Sequence, residues 1–232
     1  KGQKLAAKRA DRDASEGAVL AAVNQDKTFA AVIMMNCETD FVAKNDGFVD
    51  FAKSVLNAAI AAKAKDLQAV MSLTIDGVSV ETMIIEQVAK IGEKITLSHY
   101  LPIEAPAAYA YVHPGNRMAS VVGLSKTGYD EEGKEMAMQV IAGRPVALNK
   151  ATVPAEVIER EMEVYRGQVR EEGKPENMVE KIAEGKLNKF FKESTLLSQE
   201  YTREAKVSVE EHLKKIDKDL TVTAFQRAEL GE

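Results

Sequence analysis

Two separated stretches of the chain echo each other, and that echo constrains the fold more than any single motif. Residues 78–100 read VSVETMIIEQVAKIGEKITLSHY, and residues 207–225 read VSVEEHLKKIDKDLTVTAF. Both open on VSVE, and both pass through a Lys-Ile pair into an alternating, strand-like segment. From the first Val to that Ile the interval is 13 residues in one copy and 9 in the other. The difference is about one helical turn, so the two copies predict the same helix-then-strand order with helices of unequal length. Upstream of each copy the pattern also recurs. Residues 18–24 and 29–37, AVLAAVN and FAAVIMMNC, are apolar runs around the polar NQDKT, which predicts a β-hairpin. Residues 108–113 and 117–125, AYAYVH and RMASVVGLS, flank PGN, a strong turn signal. A helix follows each hairpin. The first takes Asp46 as its N-cap, with Phe48, Phe51, Ala52, Val55, Leu56, Ala59 and Ile60 at helical spacing. The second carries Met136, Met138, Val140 and Ile141 and stops before Gly143-Arg144-Pro145. The segment EKITLSHYLPIE predicts a strand that ends near Pro102.

These readings predict an α+β fold: two similar subdomains of antiparallel sheet with packed helices. An insertion interrupts the second copy. Ile158, Met162, Tyr165 and Val169 step along one charged helix, and Val179, Ala183, Leu187 and Phe190 step along another. EEGKPEN lies between them, with Gly173 and Pro175 placed to stop one helix and start the next. The pair predicts a protruding antiparallel helical hairpin. The expected division is 1–14 as a linker helix, 15–106 as one subdomain, 107–150 with 193–232 as the other, and 151–192 as the hairpin. The first residues, KGQKLAAKRADR, lack an initiating Met, and the expectation is that a longer N-terminus precedes them. Behind Lys1, the residues Lys4, Lys8 and Arg12 recur every four positions and read as a solvated helix face.

Composition excludes several function classes. The chain is 45% hydrophobic and 29% charged, as a packed core with a solvated surface requires. Its net charge of −5 argues against nucleic acid as the main partner, since that binding rests on a basic field. No apolar stretch has the length of a membrane span, and no secretory leader is visible. One cysteine, Cys37, rules out an internal disulfide and fits a reducing compartment. No phosphate loop, H-E-x-x-H or C-x-x-C occurs, so no cofactor or metal is expected. His99, His113 and His212 lie in separate elements. A Cys37–His nucleophile pair is weaker than the reading of Cys37 as a small buried hydrophobe. An acidic chain with no catalytic set suits action through a surface on another protein rather than enzymic chemistry.

The stretch NCETDFVAKNDGF, residues 36–48, offers such a surface. Phe41 falls outside the helical stripe that begins at Phe48, and polar residues fence it. From pattern alone, Phe41 reads as a core residue tucked under its loop, since large aromatics are mostly buried, and Asp40 could be a turn cap. Ile91-Gly92 could be a helix end with its C-terminal glycine, and His113 a turn residue.

Four segments carry a family resemblance. NCETDFVAKNDGF resembles the T-D-F-V-A-K signature of the bacterial elongation factor Ts family. VAKIGEKI, HPGNRMASVV and GKPENMVEKIAEGKLNKFFKE resemble three further family segments, in order. The resemblance implies a cytoplasmic translation elongation factor that binds elongation factor Tu, GDP-bound or nucleotide-free, and promotes GDP release. It implies that Asp40 and Phe41, with Thr39 and Val42 beside them, enter the partner's G domain, Phe41 wedging between two helices. Ile91 and Gly92 would line the same contact, and His113 would face the phosphate-loop side. Tyr201 and Thr202 align with a segment that touches other parts of the partner. The family normally begins with a small N-terminal domain, and the basic first residues here resemble its exit. The hairpin is linked in the family to a homodimer or to partner contact. The alternative to exchange is an interaction or chaperone-like module that works through the hairpin and leaves nucleotide alone.

Overall fold

The computed structural model describes residues 2–232. The chain opens with α1 (Gly2–Arg9), β1 (Glu16–Val23) and β2 (Phe29–Cys37). A single-turn helix α2 (Asp40–Ala43) follows, then α3 (Asp46–Ala61), α4 (Leu67–Ser72), β3 (Thr74–Ile75) and β4 (Val78–Ser79). Next come α5 (Val80–Ile91), β5 (Thr96–Glu104), β6 (Ala107–Val112), β7 (Met118–Leu124) and α6 (Asp130–Gly143). The chain finishes with α7 (Ala155–Glu171), α8 (Glu176–Ser194), α9 (Val209–Ile216) and β8 (Val222–Glu229).

The repeat is real at the level of topology. One three-stranded sheet has the order β1-β2-β5 and the other β6-β7-β8. In each, the strand after the echoed helix lies beside the second strand of the hairpin. The shared VSVE encodes the same helix start twice. Ser79 Oγ accepts the Thr82 N–H at 3.2 Å, and Ser208 Oγ accepts the Glu211 N–H at 3.2 Å. In the second copy Glu211 also accepts the Ser208 N–H, closing a capping box. The valine after each serine, Val80 and Val209, is fully buried and pins the first turn. The helices have 12 and 8 residues, matching the one-turn difference in the sequence.

β2 is buried along its whole length because it is sandwiched. Its side chains alternate between faces. Phe29, Ala31, Ile33, Met35 and Cys37 join Phe48, Phe51 and Val55 of α3 and Ile84 and Val88 of α5 in one core. Ala30, Val32 and Met34 join Ala108, Ala119 and Val121 in a second, between the two sheets. That is why the run reads as continuously apolar.

The structure corrects five local expectations. Asn45, not Asp46, caps α3, its Oδ1 accepting the Gly47 N–H at 2.9 Å and the Phe48 N–H at 3.3 Å. Asp46 sits in the first turn, where a negative charge suits the helix dipole. β5 does not stop near Pro102 but runs on to Glu104, because it is an edge strand and can do without one N–H. On α6, Met138 points to the surface, and Gln139 is the buried neighbour. In the hairpin the buried aromatic is Phe191 rather than Phe190, with the Lys150 ammonium 4.9 Å above its ring. The basic stripe is not simply solvated. Lys4 and Lys8 are exposed, but Arg12 lies beyond the end of α1 and pairs with Glu38, and Lys1 lies outside the described residues.

The chain forms two compact units: residues up to Ile141 with Thr223–Glu232, and Ala142–Val222. Both three-stranded sheets belong to the first, as does the small β3-β4 pair. In the second, α7 and α8 pack antiparallel through Val169, Val179 and Ala183. Arg166 meets Glu180 through two hydrogen bonds of 2.8 and 2.7 Å on the outside of the pair.

Candidate functional site

α2 is one turn long, and its two ends are fixed differently. Val42 and Ala43 pack down on the core under β2 and α3. Asp40 and Phe41 are turned away, and Phe41 is 83% exposed, the most exposed large hydrophobic residue among those described. Lys44 Nζ reaches back to Asp40 at 2.7 Å, and that hydrogen bond holds the Asp40 carboxyl below its ordinary range. Thr39 is the N-cap, although its Oγ1 accepts the Val42 N–H at a long 3.4 Å.

The firmer tie comes from Glu93. Its Oε2 accepts the backbone N–H groups of Glu38 and Thr39, both at 3.1 Å, and its Oε1 accepts the Thr39 hydroxyl at 2.7 Å. Glu38 returns the arrangement, accepting the Lys94 N–H at 2.6 Å. Arg9 and Arg12 meet the same Glu38 carboxylate at 3.3 and 3.0 Å. Lys94 Nζ donates to the carbonyls of Ala10 and Arg12 at 2.6 and 2.9 Å. The start of α2, the end of α5 and the segment after α1 thus share one knot of charge-assisted bonds. Ile91 is half-buried against the core. Gly92 closes α5 at φ +83 with open space where a Cβ would stand, so backbone conformation, not crowding, calls for glycine there.

The remaining candidates divide. His113 is exposed at the β6–β7 turn, its Nδ1 3.0 Å from the Tyr111 hydroxyl, and it takes no part in the Glu38–Glu93 knot. Thr202 is exposed in the second unit. Tyr201 is 3% exposed, with its ring stacked on His212 at 4.1 Å between centroids. Its ring is therefore a packing element, and only its neighbour Thr202 offers surface. Cys37 is fully buried, and burial, helped by the charge of Glu93, pushes its thiol up to about 12. Among the described residues no group of three or more His, Cys, Asp or Glu is placed to hold a metal, and no helix is long and apolar enough to cross a membrane.

Sequence reasoning missed Glu38 and Glu93. The signal was an acidic residue just before a capping Thr and another just after a capping Gly. The pairing of Asn36 with Thr96 in neighbouring strands brings those two positions together.

The knot has a pH signature. The Lys94 N–H, and after it Arg12 and Arg9, hold Glu38 below its ordinary value of 4.5. A carboxylate with a depressed pKa in the folded state stabilises above the ordinary value and loses that contribution as pH falls through the folded one. Unfolding stability is expected to decline below about pH 4.5, and Glu38→Gln should shallow that decline. Urea titrations of both proteins from pH 7 to 3 check this.

Comparison with known proteins gives a consistent result. A family model described as Elongation factor TS matches residues 38–232. The chain is 47% identical to the elongation factor Ts of Christiangramia forsetii over 233 residues, spanning 100% of this chain and 84% of that protein. It is 44% identical over 234 residues to the elongation factor Ts of Amoebophilus asiaticus, with the same 100% and 84% coverage. It is 41% identical over 233 residues to that of Flavobacterium psychrophilum, again at 100% and 84%.

Proposed function

Because the chain belongs to the elongation factor Ts family, we propose that it binds elongation factor Tu and speeds the release of GDP from it. The observation that carries this reading is Phe41, 83% exposed on a short helix whose start is tied down by Glu93. An aromatic ring held in water gains roughly 1.5–3 kcal/mol on burial in a partner. In the proposed contact Phe41 enters between helices of the partner's G domain and disturbs the nucleotide site. Asp40 and Thr39 frame it, and Val42 anchors it from below. Ile91 and Gly92 line the same contact, and His113 adds a separate one toward the phosphate loop. Thr202, held by the buried Tyr201, touches the partner elsewhere.

No bond is made or broken on this chain. The work is differential binding: a surface that prefers the nucleotide-free partner weakens GDP, and GDP weakens the surface by the same factor. The proposed role is cytoplasmic. We also propose the repeat-based domain plan, 15–106, 107–150 with 193–232, and 151–192, because the two sheets share one strand order. A second copy of the chain is a further proposed partner of the hairpin, which presents Val164 and Met178 at 47% and 45% exposure.

The test is release of labelled GDP from purified elongation factor Tu with and without the chain. Acceleration that saturates with chain concentration is expected. Binding to elongation factor Tu with an unchanged release rate would favour an interaction module instead.

A further inference from the structure

We propose that Glu93 and Glu38 are positioning residues that set where Phe41 points, by clamping the start of α2 to the end of α5. The inference rests on the exchange reading above. A lone helical turn does not hold itself together, because helix nucleation is unfavourable. α2 has 4 residues, and its own cap bond is long at 3.4 Å. What fixes its N-cap is external: the backbone N–H groups of Glu38 and Thr39 and the Thr39 hydroxyl all donate to the Glu93 carboxylate. Phe41 is two residues past Thr39, so rotation at Thr39 swings the ring directly.

The clamp is also reciprocal. Glu93 follows Ile91-Gly92 and reaches across to α2, while Glu38 precedes α2 and accepts the N–H of Lys94. The two segments proposed to meet the partner are therefore held in register with each other, not merely with the core. Arg9 at the end of α1 and Arg12 just beyond it extend the register to that helix and the segment after it. A contact surface that must be correct to within about an ångström loses on the order of 100-fold in rate when misplaced by that much. A half-buried carboxylate that touches only main-chain and hydroxyl donors at this junction is suited to prevent such a slip.

The test is a double-mutant cycle on GDP release from elongation factor Tu, with the full chain as wild type, Glu93→Ala, Phe41→Ala and the double variant. Glu93→Ala is expected to slow release about tenfold in the wild-type background. With Phe41 already removed it should change the rate less than about twofold, because a residue acting through another has nothing left to act on. Glu93→Gln keeps one acceptor oxygen and should recover part of the rate. Amide hydrogen exchange at Glu38 and Thr39 should quicken in Glu93→Ala while exchange in β2 stays slow.

Equal losses in both backgrounds, or no loss in either, would overturn the clamp. So would a loss that disappears on cooling together with a lowered melting temperature, since that marks general destabilisation. If wild type does not accelerate release, the exchange reading fails and the clamp falls with it. If wild type accelerates release and Phe41→Ala is just as fast, Phe41 leaves the account and the clamp fails while exchange stands. The clamp fails alone when Phe41→Ala is impaired and Glu93→Ala is not.

Discussion

Replacing Phe41 by alanine is expected to slow chain-stimulated GDP release about 10- to 100-fold and to leave folding stability unchanged within about 0.5 kcal/mol. The rate figure follows from burial. An exposed phenylalanine gains roughly 1.5–3 kcal/mol on entering a partner, and each factor of ten needs about 1.4 kcal/mol of differential binding. One ring therefore supplies about one to two decades. The stability figure follows from where the ring sits: at 83% exposure it leaves no cavity behind when truncated. Stopped-flow release of fluorescent GDP and thermal melting of the same samples check both halves. A variant as active as wild type would remove Phe41 from the account.

Phe48, seven residues further on, should behave in the opposite way. It is 1% exposed, in the core shared by α3, β1 and β2. Phe48→Ala removes buried apolar volume and leaves a cavity, at a cost of about 3–5 kcal/mol. Against a total of about 5–15 kcal/mol, that is a large share, and the melting temperature should drop by roughly 6–20 °C. Activity per folded molecule is expected to fall far less than in Phe41→Ala, since Phe48 faces away from any partner. Urea unfolding monitored by circular dichroism gives the stability loss, and release assays well below the transition give the activity.

Only half of the contrast between these two phenylalanines was legible in the sequence, because pattern alone also allowed Phe41 a core position under its loop. Phe48 starts a stripe of seven apolar residues at helical spacing, all buried in α3, and Phe41 lies off it. The repeat was legible too, because VSVE marks the same capped helix start in each copy. What periodicity could not decide was any choice between adjacent, chemically similar residues. Asn45 and Asp46 are both good caps, and only side-chain geometry chose Asn45. Phe190 and Phe191 sit side by side on a charged helix, and packing against Ala147 and Val153 chose Phe191. Pro102 read as a strand end because edge position, which excuses its missing N–H, is a tertiary fact. The Glu38–Glu93 clamp was invisible for the same reason: its members are 55 residues apart, and a carboxylate in a polar loop defaults to solvent. The Tyr201 contact rests on the family resemblance alone, and the stacking of its ring on His212 is a tertiary fact that no local pattern shows.

The central claim is that this surface prefers the empty partner, and affinity tests it most directly. Titration calorimetry with nucleotide-free and GDP-bound elongation factor Tu should give two different dissociation constants. Their ratio is expected to equal the factor by which saturating chain weakens GDP binding, at least about tenfold. Equal affinities for the two forms would contradict the account, because a ligand that binds both states alike shifts neither.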